Sequence, residues 1–299
     1  MTARAEVLGE LGAWVTHRRR RVEARTSTKN QLLGQLDRAF PGLTLALPDV
    51  LGTLVGRLVA EHFADPARLA ALGESRFIRF AAHRGLMVRG PVAARLVAAA
   101  RDALPTRDAA VARTMLTEDL ALLGVLEGQV AAAEEHLAQV LPLSPFAVLT
   151  SVPGWAVVRA AGYGAAVGDP ARWPGPRQVY RASGLSPAQY ESAGNRRDGA
   201  ISREGSVDLR RALIDLGIGL WLNEPSAKIY AAGLRARGKK GGVIGCAMAN
   251  RANRIAYAMV RDQTNYDTRH WAATGPPIPG RAEQTRALPS APDRVHAGW

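Results

Sequence analysis

The chain has 299 residues, and its 39 Lys and Arg outnumber its 26 Asp and Glu, which gives a net charge of +13. This length can bury one large hydrophobic core or two of medium size, and so strong an excess of base favours polyanionic partners, chiefly nucleic acid. The single cysteine, Cys246, excludes an intrachain disulfide, and no Cys and His are spaced as zinc ligands.

No stretch approaches 18 uninterrupted apolar residues, so we expect no membrane span. The N-terminal segment carries acidic residues and lacks the apolar run of a signal peptide. These features predict a cytoplasmic protein of a reducing compartment.

The composition predicts an all-α, mainly helical fold, because Ala, Leu and Arg dominate and alternating Val, Ile and Thr runs are almost absent. The first predicted helix covers residues 5–38 and stops at Phe40-Pro41-Gly42. Its basic run at residues 17–21 is typical of a solvated helix surface, and equally of a contact to a nucleic-acid backbone.

Shorter helices are predicted at 48–63, 66–72, 75–84 and 90–102, and a long helix at 106–141. Apolar residues of the long helix recur at spacings of three and four, with Glu127 and Glu134 interrupting the seam. The seam is Leu116, Leu120, Leu123, Val130, Leu137 and Leu141. This pattern fits a coiled-coil linker, antiparallel or dimerising, and it fits an ordinary core helix equally well.

The sequence therefore predicts four regions. A helical segment covers 1–105, and a linker helix or coiled coil covers 106–141. After the break at Pro142 to Pro145, a second helical domain covers 146–270. The remainder, 271–299, is rich in Pro, Gly and charge without an apolar period, which predicts a disordered tail.

The stretch Leu149 to Ala160 resembles a helix-hairpin-helix, with Pro153-Gly154 at its turn. In such a motif the backbone N–H groups of the turn face a phosphate without reading base sequence. Gly154 would allow the close approach of the backbone. The alternative is a plain corner between two helices.

Residues 183–211 read SGLSPAQYESAGNRRDGAISREGSVDLRR, a cluster of hydroxyls, glycines and arginines between two helices. Ser192 is our candidate nucleophile for DNA-strand transfer, and guanidinium groups suit the charge that develops on a phosphoryl group. The guanidinium groups are those of Arg196, Arg197, Arg203, Arg210 and Arg211. Ser202 and Ser206 compete for the role, and both also fit a turn or the N-cap of a helix that begins near Val207.

A third motif, residues 234–242, places cations among glycines and predicts a phosphate-binding basic loop, with a merely solubilising loop as the alternative. Its cations are Arg235, Arg237, Lys239 and Lys240. Neither a P-loop nor a dinucleotide-binding glycine motif is present in the sequence. The acidic residues are scattered over predicted helices, so we predict no metal site.

Together these motifs resemble the C-terminal transposase domain of the insertion-sequence-110 family (the 110/116/902 group), relatives of the Piv-type DNA invertases. The shared order is the Pro-Gly turn, Asp169 before Trp173, Gly-Leu-x-Pro, Ser-x-Gly, Arg-Glu-Gly before Leu-Arg-Arg, and Arg-Gly-Lys-Lys. The upstream stretch from Val22 to Leu43 is similar to the helical segment of that family.

The resemblance implies a division of labour between two domains. In the family, an N-terminal RuvC-like domain carries acidic metal ligands, and a coiled coil joins it to the C-terminal domain, which carries a serine nucleophile. By resemblance that serine is Ser192, although Ala193 separates it from Gly194 where many relatives have Ser-Gly. The resemblance also implies DNA as partner, a structured guide RNA, a homo-oligomer, and Mg²⁺ in the full-length protein but no cofactor in this chain.

The first residues look like the helix that follows the metal-ligand region of the family, so we expect the RuvC-like domain to be missing here. Two functions then stay open. The chain is an enzyme of DNA recombination, in incomplete form, or it is a non-catalytic remnant that still binds nucleic acid.

Overall fold

The structure is a computed structural model that describes residues 3–192, 195–269 and 271, without the side chains of Ala3 and residues 187–200. The predicted helical fold is confirmed, since the described residues form twelve α-helices and one β-hairpin. The helices are α1 (Ala3–Ala39), α2 (Leu43–Ala46), α3 (Leu54–His62), α4 (Pro66–Leu72), α5 (Glu74–Ala82), α6 (Gly90–Asp102), α7 (Ala109–Val140), α8 (Val157–Val167), α9 (Pro176–Ala182), α10 (Val207–Asn223), α11 (Pro225–Ala236) and α12 (Gly241–Asp262).

The hairpin was not predicted. It consists of β1 (Pro187–Ser192) and β2 (Asn195–Ile201), where the sequence indicated only a turn-rich segment. Short 3₁₀ turns lie at Leu141–Leu143, Ala147–Ser151 and Pro170–Arg172.

The helix predicted at 48–63 begins later than expected, at Leu54. The Asp49 carboxylate accepts a hydrogen bond from the Gly52 N–H, which closes a turn. Thr53 then caps α3, because its hydroxyl accepts from the Gly56 N–H at 3.1 Å. Two capping side chains therefore divide a stretch that apolar spacing alone predicts as one helix.

The chain divides into two compact units. Unit 1 comprises Met1–Val15 with His136–Trp299, and unit 2 comprises Thr16–Glu135. Both α1 and α7 contribute residues to each unit. The four predicted regions, including the tail at 271–299, stay predictions; residues 272–299 lie outside the described residues.

Unit 2 has its own hydrophobic core, in which the seam residues Leu116 and Leu123 of α7 are buried. Phe63, Phe77 and Phe80 meet edge to face in this core. In unit 1, Leu137 and Leu141 are buried in the same way. The seam of the long helix is thus buried within the chain, as the core-helix interpretation requires.

The glutamates that interrupt the seam are paired inside unit 2. Arg57 donates from Nη1 and Nη2 to the two carboxylate oxygens of Glu127, each at 2.6 Å, and Lys29 Nζ lies 3.8 Å from Oε1. Arg18 likewise contacts Glu134 at 2.6 Å. The bond from Arg57 lowers the pKa of Glu127, and its partner Glu127 raises the pKa of Arg57.

We expect Glu127→Gln to destabilise unit 2 by about 1–3 kcal/mol, because the mostly buried Arg57 loses a charged, bidentate partner. The folded-state pKa of Glu127 lies below its unfolded value, so the pair contributes fully at neutral pH and loses its contribution as pH falls through the folded pKa. Urea unfolding of the variant and the parent at pH 7 and pH 3 measures the two free energies of unfolding. A difference in unfolding free energy that is as large at pH 3 as at pH 7 would contradict the prediction.

Unit 1 is built around α10, which packs against α8, α11 and α12. Its buried face carries Leu213, Leu216 and Leu220. A Cβ on Gly217 would lie 2.8 Å from the backbone nitrogen of Ala249, so α10 and α12 touch backbone to backbone at this glycine. None of the helices, as far as the chain is described, is long and apolar enough to cross a bilayer.

Candidate nucleic-acid interface

The Pro153-Gly154 turn precedes α8 and packs closely on α10. Gly154 has φ +83°, and a Cβ there would collide with the Gly219 carbonyl and the Asn223 side chain. Arg159 Nη1 donates to the Gly154 carbonyl at 2.9 Å. The fold therefore requires glycine at position 154, whether or not the turn binds a phosphate. Its role in binding nucleic acid stays a prediction.

The residue after the turn, Trp155, anchors the turn to α10. Trp155 is buried, and its Nε1 donates to the Leu216 carbonyl of α10 at 2.8 Å. An indole both fills the space and satisfies a backbone acceptor, which an aliphatic side chain cannot do. The turn and α10 form one rigid corner.

The hairpin between α9 and α10 is tied at its base by three backbone hydrogen bonds. Ser202 N donates to Ser186 O at 2.9 Å, Arg203 N to Gly184 O at 3.1 Å, and Ser206 N to Ala182 O at 2.8 Å. Gly184 has φ +67°, and a Cβ on Gly205 would overlap the Ala182 carbonyl. We call residues 182–186 and 202–206 the ribbon base, and residues 187–201 the ribbon.

Arg210 reinforces the ribbon base. Its Nε donates to the Ser183 carbonyl at 3.0 Å and its Nη2 to the Arg203 carbonyl at 2.7 Å. Two of its three nitrogens are therefore occupied inside the chain. The structure gives Arg210 a positioning role, and a phosphate contact through the third nitrogen stays a prediction.

The competing serines also have structural partners. Ser206 caps α10, since its hydroxyl accepts from the Leu209 N–H at 3.2 Å. The Ser202 hydroxyl accepts from the Glu204 N–H at 3.3 Å and lies 3.5 Å from the Gly184 carbonyl. These contacts confirm the predicted cap and turn.

Ser192 is the last residue of β1, immediately before the tip of the ribbon. In the register of the two strands, Ser192 faces Asn195, Glu191 faces Arg196, and Tyr190 faces Arg197. The side chains of Ser192, Arg196 and Arg197 and the tip residues 193–194 lie outside the described residues. Their chemical roles therefore stay predictions, but the backbone places Ser192 at the far end of the ribbon.

The register of the ribbon is shifted between Pro187 and Gln189. Pro187 pairs with Ile201 and Gln189 with Asp198, so three steps along β2 match two along β1. A bulge of this kind bends the strand and increases its twist. Pro187 lacks an N–H, which suits it to the start of a strand.

The predicted basic loop forms a defined turn after α11. Lys239 N donates to Leu234 O at 3.1 Å and Gly238 N to Arg235 O at 2.9 Å, which is a Schellman cap with Gly238 at φ +74°. Residues 235–243 are all exposed. Lys240 then precedes the first turn of α12, where Gly241 and Gly242 have open space around them.

Tyr180 joins the ribbon base to α12, the helix that follows the basic loop. Its hydroxyl lies 3.1 Å from the Cys246 carbonyl of α12 and 3.4 Å from the Leu185 carbonyl of the ribbon base. Burial raises the pKa of Tyr180, which keeps the phenol protonated as a donor. The sequence analysis did not single out Tyr180, because nothing in its neighbourhood in sequence points to Cys246.

Gly154 lies apart from the ribbon base. It packs on Gly219, whereas the ribbon base joins the N-terminus of α10 at Ser206. A helix rises about 1.5 Å per residue, so about 20 Å of α10 separate the two places. Arg235 of the basic loop has its Cζ 5.9 Å from the ring centroid of Trp221, which also lies towards the C-terminal end of α10.

Arg203 and Arg211 are exposed near the ribbon base. Arg203 has φ +57°, a left-handed conformation that the paired backbone around it holds in place. No group of three or more His, Cys, Asp or Glu residues suited to a metal ion occurs within the part of the chain that the structure describes.

Two comparisons with known proteins cover the segment that contains the Pro-Gly turn, the ribbon and α10. Residues 147–230 match the family described as Transposase IS116/IS110/IS902 family, a range that includes the Pro-Gly turn, the ribbon and α10. The chain is also similar to the Insertion element IS110 uncharacterized 43.6 kDa protein of Streptomyces coelicolor, at 27% identity over 274 residues. The aligned region covers 88% of this chain and 66% of that relative, which is just under two thirds of its length.

Proposed function

Because residues 147–230 match the transposase family IS116/IS110/IS902, we propose that the chain acts in DNA transposition and holds the DNA backbone on exposed cations of unit 1. The basic surface is defined by the exposed cations of the ribbon base, the start of α10 and the basic loop: Arg203, Arg211, Arg235, Arg237, Lys239 and Lys240. The observation that carries the proposal is the Tyr180 bridge, which holds the ribbon base and α12 together.

Exposed guanidinium and ammonium groups bind phosphate oxygens and release condensed counterions, so such a surface binds DNA with little regard to sequence. The Schellman turn fixes where the cations of the basic loop are displayed. The net charge of +13 adds long-range attraction for any nucleic acid.

The ribbon supplies reach for the chemical step. Five residue steps separate Pro187 from Ser192, which is about 17 Å at the usual rise of a strand. A two-stranded ribbon fits the major groove of DNA. When the basic surface contacts the phosphates of one DNA strand, the ribbon extends across the groove and places Ser192 near a phosphate of the other strand.

Ser192 is the proposed nucleophile. Its Oγ attacks phosphorus, the bond from phosphorus to the leaving sugar oxygen breaks, and the serine proton ends on that oxygen. The resulting phosphoserine ester keeps the energy of the phosphodiester, so a second sugar hydroxyl can reverse the step and join new strands. Arg196 and Arg197 follow the tip in sequence and stabilise the charge on the phosphoryl oxygens.

Further partners are proposed from the resemblance alone. They are a structured guide RNA, additional copies of this chain in a homo-oligomer, and Mg²⁺ in the full-length family protein. A protein that moves DNA segments works on the nucleoid of a prokaryotic cytoplasm. Gly154 is proposed as a separate phosphate contact, through the backbone of its turn, about 20 Å along α10 from the ribbon base.

We expect the double variant Lys239→Ala/Lys240→Ala to bind duplex DNA more weakly for all sequences. The slope of the logarithm of the binding constant against the logarithm of the salt concentration is negative, and the loss of two phosphate contacts should reduce its magnitude by about 1.8. Fluorescence anisotropy with labelled duplexes at several salt concentrations measures both effects.

The matched control is Arg68→Ala/Arg101→Ala, which removes the same charge from exposed positions of unit 2. We expect this control to keep the slope of the parent. Equal losses in the two double variants would mean that net charge, and not the basic surface, attracts DNA.

A further inference from the structure

Away from the basic surface, unit 1 holds a buried arginine against two aromatic rings. Arg251 of α12 is 6% exposed. Its Cζ lies 3.9 Å from the ring centroid of Trp271 and 5.0 Å from that of Tyr230. The centroids of the two rings are 5.7 Å apart, with their planes at 73°. We call Tyr230 and Arg251 the aromatic slot, and Trp271 its occupant.

The hydrogen bonding of the slot is incomplete. Arg251 Nη2 donates to the backbone carbonyl of Trp271, but its Nε is buried without a hydrogen-bond partner in the described part of the chain. Burial lowers the pKa of Arg251, which shows how poorly the charge is solvated. An indole cannot satisfy Nε, because its ring nitrogen only donates. A planar ring with acceptor atoms would fit the slot better than Trp271 does.

Before Trp271 lies a short return segment, residues 263–269. The segment begins at Gln263, whose φ is +51°, and Gln263 Nε2 donates to the Pro145 carbonyl at 3.1 Å. Tyr266 N then donates to the Ser151 hydroxyl at 2.9 Å. Tyr266 of the segment and Trp271 pack against the core of unit 1, whereas the other residues of the segment, apart from Asp267, are exposed.

We propose that the aromatic slot binds one unstacked nucleobase of a nucleic acid, and that Trp271 fills the slot until the base displaces it. A nucleobase has the flat faces that Tyr230 and Arg251 stack on, and ring nitrogens and carbonyls that accept from Arg251 Nε. This proposal rests on the proposed function, because the base belongs to the bound DNA or RNA.

The neighbouring charges suit a nucleotide. Arg254 follows Arg251 by one turn of α12, and its charge contributes to the lowered pKa of Arg251. A cation at that distance can bind the phosphate next to a stacked base. Glu224, which is buried at the start of α11, contributes to the raised pKa of Tyr266, after the burial of that phenol. Its carboxylate caps α11 by accepting from the Ser226 N–H at 3.2 Å.

The test uses the full chain and a single-stranded DNA oligonucleotide that contains one 2-aminopurine, whose fluorescence falls when the base stacks. We expect Trp271→Ala to bind this probe about tenfold more tightly than the parent and to quench it, because the base no longer displaces the indole. Adding Tyr230→Ala to Trp271→Ala should remove both the gain and the quenching. Trp271→Leu has a smaller side chain that loses the stacking on Arg251, so a base displaces it more easily than the indole, and it should show part of the gain if Trp271→Ala fails to fold.

The matched control is Trp14→Ala, which removes an indole stacked on His136 at 3.9 Å elsewhere in unit 1, and it should leave probe binding unchanged. Unchanged affinity and no quenching in Trp271→Ala or Trp271→Leu would overturn the proposal, as would a gain that survives Tyr230→Ala. Binding of duplex DNA by the Lys239→Ala/Lys240→Ala variant is measured in the same series. If this variant binds duplex DNA as tightly as the parent, the result contradicts the basic surface but not the slot, because the quenching of 2-aminopurine reports only on the slot.

Discussion

Gly154→Val is expected to destabilise unit 1 by about 3–5 kcal/mol, the sum of two separate penalties. The first is a left-handed backbone, since Gly154 has φ +83° and a β-branched residue is strongly disfavoured there. The second is overlap of the new side chain with the Gly219 carbonyl and the Asn223 amide. The corner between the turn and α10 would have to open, which would also pull Trp155 from the Leu216 carbonyl.

The control is Gly162→Ala in the same segment of the chain. Gly162 lies inside α8 with nothing near the position of a Cβ, so alanine should stabilise the protein by about 0.5–1 kcal/mol. Urea unfolding followed by circular dichroism measures both variants. A Gly154→Val protein with the unfolding midpoint of the parent would show that the turn does not pack on α10 in solution.

The helices with strong local signals were predicted almost to the residue. Asp65 and Pro66 mark the start of α4, where the Asp65 carboxylate accepts from the Ala67 N–H, and Pro91 lies in the first turn of α6. Such caps act within one turn of the chain, so they are visible in the sequence. The late start of α3 was missed because apolar spacing runs through the Asp49 turn.

The ribbon could not be predicted because its residues have weak strand propensity and its stability comes from distant pairs. Gln189, Asn195 and Asp198 are of types that strands use rarely. The hairpin closes through Ser186 with Ser202 and through Arg210 with the Ser183 carbonyl. These contacts join residues of different predicted elements, and a local pattern does not contain them.

Glycine and arginine were the residues whose roles the sequence left most open. Both types serve phosphate binding, and both also serve close backbone packing and carbonyl binding. Gly154 packs against Gly219, so close backbone packing explains this glycine. Arg210 donates to the carbonyls of Ser183 and Arg203, so carbonyl binding explains this arginine. Arg235 and Lys239 stayed exposed, as the predicted basic loop requires.

In a full-length protein that joins this chain to a RuvC-like domain, Ser192→Ala is expected to abolish strand exchange, with a loss of at least about 1,000-fold in rate, as for other enzymes that lose a nucleophile. The assay uses the DNA ends and the guide RNA that the proposed function assigns to the full-length protein. DNA binding should stay within a few-fold, because the basic surface does not include Ser192, which lies at the far end of the ribbon. The parent should form a covalent protein–DNA adduct that mass spectrometry maps to Ser192, and the variant should form none.

Two other serines of the same segment provide the controls. Ser206→Ala should cost about 0.5–2 kcal/mol of stability, because the Leu209 N–H loses its cap, while strand exchange continues at a temperature where the protein is folded. Ser202→Ala should behave in the same way, because its hydroxyl serves the Glu204 N–H. An adduct on Ser202, Ser206 or Tyr190, or full activity in Ser192→Ala, would show that the nucleophile is a different residue. An adduct on Ser192 alone would place the chemical step at the end of the ribbon, about 17 Å along β1 from Pro187.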